Sequence, residues 1–263
     1  MNRLVGSSPE PVVQVSQRDK ISIVMPMFNS ESTVRRSVES VIRQSFENWE
    51  LIIVDDNSDD KSVNIVEGLS EMDSRVKLVR SYINRGAGET RNIAVSAAEG
   101  QYIAFLDADD IWYPNKLETQ LGYMQRLIIP LSASNFDIQT EAGISKASSN
   151  VPQIVEYQHL LKENVIGCLT AMYDTQYFGK RYFPELRKRQ DYALWLELLR
   201  DCDSCHVIQE PLACYTRRSG SVSSNKLEMI AWNYRMFRQT QHFSPIRAAY
   251  YVGWNVLNRL RKW

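Results

Sequence analysis

Three short apolar runs constrain this chain most: Ile21 to Met25, Leu51 to Val54 and Tyr102 to Leu106. They are rich in strand-forming side chains, and the third is unbroken. Such runs suit strands covered on both faces, as in a parallel or mixed sheet. Helical spacing fills the gaps between them. Val34, Val38, Val41 and Ile42 recur on one face, and a second amphipathic stretch runs from Lys61 to Met72. A strand over Val76 to Val79 and a helix over Glu89 to Ala98, closed by Gly100, complete the series. Strand alternating with helix predicts a doubly wound α/β sheet, in which ligands bind outside the carboxyl ends of the strands.

Those strand ends are polar in this chain. The first stops at Pro26-Met27-Phe28-Asn29, the second runs into Asp55-Asp56-Asn57-Ser58-Asp59-Asp60, and the third into Asp107, Asp109 and Asp110. Carboxylates packed so closely repel one another unless a cation sits between them. Hard divalent ions such as Mg²⁺ and Mn²⁺ take oxygen ligands and share them with phosphates. A solvated acidic turn capping the helix after Pro114 is the competing reading. Acids at successive strand ends of one sheet edge favour the ligand site. No glycine-rich dinucleotide loop or P-loop follows any of these strands.

The second half reads less cleanly. A helix is predicted over Asn115 to Arg126, a strand over Leu131 to Ile138, a loop over Thr140 to Val151 and a strand over Val165 to Tyr173. A basic, aromatic loop, Phe178 to Arg189, precedes a helix that Asp191 opens, its plainest reading being the cap of that helix, with Leu194, Trp195, Leu198 and Leu199 on one face. Short strands at Cys205 to Ile208 and Leu212 to Tyr215 flank Pro211, and two helices broken at Ser244-Pro245 finish the chain. The Cys202-x-x-Cys205 pair has no second pair near it, so structural zinc is not expected.

The 263 residues fit one large α/β domain, or a core with an appended piece. Lys plus Arg equals Asp plus Glu at 31 each, which points to no nucleic-acid partner. The tail differs: from Lys226 to Trp263 seven basic residues face one acid, Glu228. Trp232, Tyr234, Phe237, Tyr250, Tyr251 and Trp254 are interleaved with them. That mixture suits a membrane interface, a helical cap on the domain, or pairing with a second copy. No run is long enough to span a bilayer. Residues 1–19 lack the build of a signal peptide and are expected to form a disordered leader. Four scattered cysteines suit a reduced, cytoplasmic protein, with the tail offering peripheral attachment to the inner face of the membrane.

Four segments taken together resemble the family 2 glycosyltransferases, inverting enzymes of the GT-A fold. They are ISIVMPMFN at 21–29, IIVDDNSDD at 52–60, GETRNIAVSAAEGQYIAFLDADD at 88–110 and RQDYALWLELL at 189–199. The resemblance implies a Rossmann-like, mostly parallel sheet over residues 20–225. Residues 20–113 would bind a nucleotide sugar, 114–225 the acceptor, and 226–263 would form a C-terminal helical extension. It implies Mn²⁺ or Mg²⁺ on Asp109, with Asp107 oriented beside it, and Asp110 capping the following helix. Asp56 would accept from the N3–H of uracil, Pro26 and Phe28 would line the base pocket, and Arg91 would face the acids or the diphosphate. Asp191 would be the catalytic base. Gln190 stands where many relatives carry Glu. Arg218 lies near a position where many carry a metal-binding His, so Arg217 and Arg218 are expected to clamp the diphosphate instead. The implied reaction moves a sugar from a UDP-sugar to a saccharide, lipid-linked in lipopolysaccharide or capsule synthesis. A polyprenyl-phosphate sugar synthase and an inactive nucleotide-sugar-binding subunit remain open beside it.

Overall fold

The computed structural model describes residues 19–140, 143–146, 151–217 and 226–261. Strands β1 (Ile21–Met27), β2 (Trp49–Asp56), β3 (Val76–Ser81) and β4 (Tyr102–Phe105) alternate with helices α1 (Val34–Ile42), α2 (Ser62–Met72) and α3 (Ala87–Ala97). They form one parallel block in the order β3-β2-β1-β4. Side chains along each strand divide between two cores. Val24, Ile52, Val54, Ile103 and Phe105 face one, while Ile23, Met25, Leu51, Ile53 and Ala104 face the other. Apolar residues on both faces explain why these strands read as continuous runs.

Then come β5 (Ile111–Trp112), α4 (Lys116–Leu127), β6 (Leu131–Thr140), β7 (Gly143–Lys146), β8 (Ile154–Val155), α5 (Tyr157–Lys162), β9 (Met172–Asp174), α6 (Thr175–Phe178), α7 (Gln190–Asp201) and β10 (Cys205–Thr216). The sheet continues from β4 through β9, β6 and β10 to β5, with β7 on β6 and β8 on β10. The short β9 runs antiparallel to both β4 and β6, joining the two halves. The whole is the GT-A arrangement, a mostly parallel sheet flanked by helices.

Several expectations are corrected. β1 continues through Pro26 to Met27. The Val24 carbonyl accepts from Leu106 N–H on the β4 side, and Pro26, two residues on, faces that side beyond the last β4 pair. Its missing donor costs the ladder nothing. The strand expected over Val165 to Tyr173 is broken, because the Gly167 carbonyl accepts from both the N–H and the hydroxyl of Thr170 and draws Cys168–Thr170 into a 3-10 turn. The two strands expected around Pro211 are one, β10, with its register against β6 shifting at that proline. The loop expected after Thr140 includes β7.

The opposite, amino edge of the sheet is held by one buried acid. Glu50 accepts from Ser22 Oγ at 2.6 Å, Glu99 N–H at 2.8 Å and Lys77 Nζ at 2.7 Å, with Lys20 Nζ at 3.1 Å. Ser22 in turn accepts from Gly100 N–H, and a Cβ on Gly100 would lie 2.6 Å from the Lys20 carbonyl oxygen, so only glycine fits. Burial alone would raise the Glu50 pKa, but donation from Lys77, Ser22, Glu99 and Lys20 brings it down to about 2. Removing one partner of such a network leaves buried charge unmatched, so Glu50→Ala is expected to cost about 3 kcal/mol in denaturant unfolding. Because the folded-state pKa lies below the ordinary value of 4.5, this stabilisation is complete above that pH and drains away as pH falls toward 2. A variant with an unchanged acid-unfolding curve would refute this role.

Helices α8 (Lys226–Gln239) and α9 (Pro245–Arg261) close over α5 and α7. Phe237, Phe243 and Tyr251 join the main core with Tyr192 of α7, and Asn255 donates to the Leu161 carbonyl at 2.9 Å. The inner face is thus a domain cap. The outer face leaves Ile246, Tyr250, Leu257 and Leu260 exposed. No helix among the described residues is long and apolar enough to cross a membrane.

Candidate active site

The polar strand ends meet on the carboxyl edge of the sheet, as their order predicts. Phe28 follows β1 and is 50% exposed, and Asn29 adopts a left-handed φ of 45°. This loop is stitched to the one after β2. Asn29 N–H donates to Ser58 Oγ, Ser30 N–H to Ser62 Oγ and Glu31 N–H to Asp60 Oδ2, while Asn29 Oδ1 accepts from Asp59 N–H. The acids at 55–60 therefore divide by task. Asp60 staples the two loops, Asp55 accepts from Ser58 N–H at 3.2 Å, and Asp56 turns toward the next loop.

Asp56 is buried and accepts from Arg85 N–H at 2.7 Å and Gly86 N–H at 2.8 Å, one on each carboxylate oxygen. This sets the entry to α3, where Gly86 takes a φ of 85°. A carboxylate offers about four lone-pair sites, so two are left for a ligand donor.

One turn into α3, the buried Arg91 donates through Nη2 to Asp107 Oδ1 at 2.5 Å. Burial opposes the charge of Arg91, yet the negative field of Asp107, with Asp191 behind it, raises its pKa overall. The Cys168 thiol, in the turn before β9, is pushed well up by burial, opposed by Arg91 and reinforced by Asp107 and Asp191. Asp107, Arg91, Cys168 and Asp191 are therefore one electrostatic group, although they come from four segments. The first turns of α3 and α7 also touch: a Cβ on Gly88 would lie 2.8 Å from the Gln190 side-chain nitrogen.

Two expected roles change. Asp191 lies inside the first turn of α7, whose cap is Arg189 in a left-handed conformation with φ 68°. Asp110 does not cap the helix after Pro114, for Asn115 precedes α4. Instead Asp110 is 2% exposed and accepts from Thr216 N–H at 2.8 Å, joining the acidic turn to the end of β10. Burial pushes its carboxyl well above the usual range, and the charges of Asp107 and Asp109 add to that.

Arg36 of α1 is the site residue that periodicity gives no reason to single out. Its Nη2 donates to the Asp109 carbonyl at 2.9 Å and to Thr216 Oγ1 at 3.0 Å. Arg217 is exposed just beyond, its N–H donating to the Gln139 carbonyl. Arg218 lies outside the described residues.

A divalent ion fits this turn on chemical grounds. Asp107 and Asp109 are oxygen donors beside a carboxyl that the local negative charge disfavours ionising. Among the described residues no three acids, histidines or cysteines converge into a ready-made cage. The donor set suits an ion held by one or two carboxylates that takes its other ligands from phosphate and water.

The fold is that of the GT-A class. Residues 22–172 match the model of Glycosyl transferase family 2, more than half of the chain. WfgD of Escherichia coli, a UDP-Glc:α-D-GlcNAc-diphosphoundecaprenol β-1,3-glucosyltransferase, is 39% identical over 210 residues, 79% of this chain and 81% of that one. TuaG of Bacillus subtilis (strain 168), a candidate teichuronic acid biosynthesis glycosyltransferase, is 33% identical over 92% of this chain and 96% of its own. Among solved structures, S. aureus TarS 1-349 in complex with UDP-GlcNAc superposes with a TM-score of 0.71 at 20% identity, covering 89% of this chain and 70% of that one. The chain belongs to glycosyl transferase family 2.

Proposed function

We propose that this glycosyltransferase moves a sugar from a UDP-sugar to a saccharide carried on a lipid diphosphate, inverting the anomeric centre, in the assembly of a surface polysaccharide such as lipopolysaccharide or capsule. The observation that carries the reading is the meeting of Asp107, Arg91 and Asp191 on the edge where Asp56 and Phe28 also stand. The relatives' activities support the choice of donor and acceptor.

In this reading Phe28 stacks on the uracil, Pro26 lines its pocket, and a free lone pair of Asp56 accepts from the base. Arg91 and Arg217, with Arg218, balance charge on the diphosphate. Asp109 and Asp107 would hold Mn²⁺ or Mg²⁺, and the ion would supply Lewis-acid stabilisation of the charge on the leaving group. Asp191 accepts the proton of the acceptor hydroxyl as that oxygen bonds to the anomeric carbon from the face opposite UDP. The bond from that carbon to the diphosphate breaks in the same displacement, and UDP departs. The exposed apolar side of α9, flanked by Arg247, Arg259 and Arg261, rests on the membrane face that displays the lipid carrier.

Calorimetric titration with UDP, with Mn²⁺ and then with excess chelator, tests the donor half. Binding that requires the metal is expected, and transfer assays on UDP-sugars then identify the sugar and product. Binding of another nucleoside diphosphate in place of UDP would move the donor, and a product carried on a lipid phosphate would move the acceptor. Failure to bind any nucleotide would leave an inactive subunit.

A further inference from the structure

Between α6 and α7 the chain runs from residue 179 to 189 without helix or strand, so its course is set by what ties it down. One side of α3 does so at successive turns. In the first turn the buried Gly88 meets Gln190, whose side-chain nitrogen a Cβ there would approach to 2.8 Å. One turn on, Asn92 grips the backbone of Phe183 with both ends of its amide. Its Nδ2 donates to the Phe183 carbonyl at 2.9 Å, and its Oδ1 accepts from the Phe183 N–H at 2.7 Å. After another turn the Ser96 carbonyl accepts from Lys180 Nζ at 2.7 Å. Residues at this spacing stand one above another along a helix. Glycine and asparagine are poor helix formers, and in α3 they stand where this segment crosses.

The seam joins two parts of the site. Arg91, next to Asn92, donates to Asp107, and its guanidinium lies 5.3 Å from the centre of the Phe183 ring. That ring packs edge-on against Phe105 at the end of β4, also at 5.3 Å. Beyond Phe183 the Leu186 carbonyl accepts from the side chain of Gln190, which ties the entry of α7 back to the same segment. Asp191 is the next residue. We propose that Asn92 is a positioning residue for the transfer. By fixing Phe183, while Gly88 leaves room for Gln190, it sets the first turn of α7 and with it the place of Asp191 relative to Arg91 and Asp107. This rests on the reading of Asp191 as the base and deepens it.

The test uses the full chain with Mn²⁺ and a short-chain alkyl ester of α-N-acetylglucosaminyl diphosphate as acceptor. UDP-glucose, UDP-galactose and UDP-N-acetylglucosamine serve in turn as donor. Asn92→Ala should lower kcat by about 10- to 100-fold, the scale of a misplacement of about 1 Å at a reacting group, and leave UDP affinity unchanged. Gly88→Ala should lower kcat as well, although alanine is the better helix former. Lys180→Ala, which cuts the outer tie of the same seam, should keep kcat. Added to Asp191→Asn, neither Asn92→Ala nor Gly88→Ala should cost anything further, because a base that is absent cannot be misplaced. Full kcat in Asn92→Ala, losses that multiply with that of Asp191→Asn, or an equal loss in Lys180→Ala would overturn the assignment. A fall in UDP affinity in Asn92→Ala would overturn it too, since the residue would then act through Arg91 on the donor. Normal turnover in Asp191→Asn, or none in the unmodified protein with any of the three donors, would instead fault the transfer reading. Amide hydrogen exchange judges the seam apart from turnover: faster exchange over residues 183–194 is expected in Asn92→Ala and not in Lys180→Ala, and unchanged exchange in both would overturn the positioning role.

Discussion

Asp191→Asn is expected to lower kcat by about 10²- to 10⁴-fold, the range that a positioned general base contributes, while UDP binds as before. The carboxamide keeps the shape of the side chain but cannot take the acceptor proton. Nothing in the fold depends on the carboxylate as a cap, because Arg189 occupies that position. The helix behind it is anchored by Tyr192, Leu194, Trp195, Leu198 and Leu199, all buried, so the substituted residue stays where the carboxylate was. That rigidity makes the substitution a test of chemistry rather than of folding. Single-turnover kinetics with the donor in excess, together with calorimetry for UDP, separates the two. A variant with near-normal turnover would place the base elsewhere. A variant that loses UDP affinity as steeply as turnover would make Asp191 part of the donor site.

How much of this was legible beforehand depends on whether a feature is local or distant. β1, β2 and β4 could be read because burial on both faces leaves an apolar run, and α7 because Leu194, Trp195, Leu198 and Leu199 recur on one face. Even the grouping of Asp56 and Asp107 on one edge follows from strand alternation alone. The 3-10 turn at Cys168–Thr170 is a local contact that the apolar run hides, whereas what was missed at the site comes from contacts between residues far apart in sequence. Asp110 looks like a helix cap until β10 brings the Thr216 N–H to it across 106 residues. Arg36 lies on the polar side of an ordinary amphipathic helix until Asp109 and Thr216 close around it. Lys116 has the sequence context of a solvated lysine in a first helical turn. In the fold it is buried over the Trp112 ring at 4.0 Å, donates to Gln120 Oε1 at 2.7 Å, and is pushed down to about 7 by that burial. Spacing reveals period and therefore burial. It does not reveal which strand end lies opposite which helix.

The second large effect is expected at Asp109. Asp109→Ala should abolish the Mn²⁺ dependence of UDP binding and lower kcat/KM for transfer by about 10³-fold, the scale of losing one preorganised charge-stabilising contact to the leaving group. The physical case is the crowding of three carboxyls in one turn. Asp107 has Arg91 against it, and Asp110 is buried on Thr216 with its carboxyl disfavoured as an anion. Asp109 is half-buried in the same turn, its carbonyl fixed by Arg36 and its carboxylate two residues from Asp107, an oxygen donor of the kind an ion shared with phosphate takes. Removing it also removes one of the charges that raise the Asp110 pKa, and that relief works against any loss of stability in Asp109→Ala. The substitution therefore divides two explanations of the cluster. If the acids serve only the turn, UDP affinity in the presence of Mn²⁺ stays unchanged and the protein melts no lower. If they serve the leaving group, metal-dependent affinity disappears from a protein that is still fully folded, and Asp107→Asn follows the same course while freeing Arg91 from its partner.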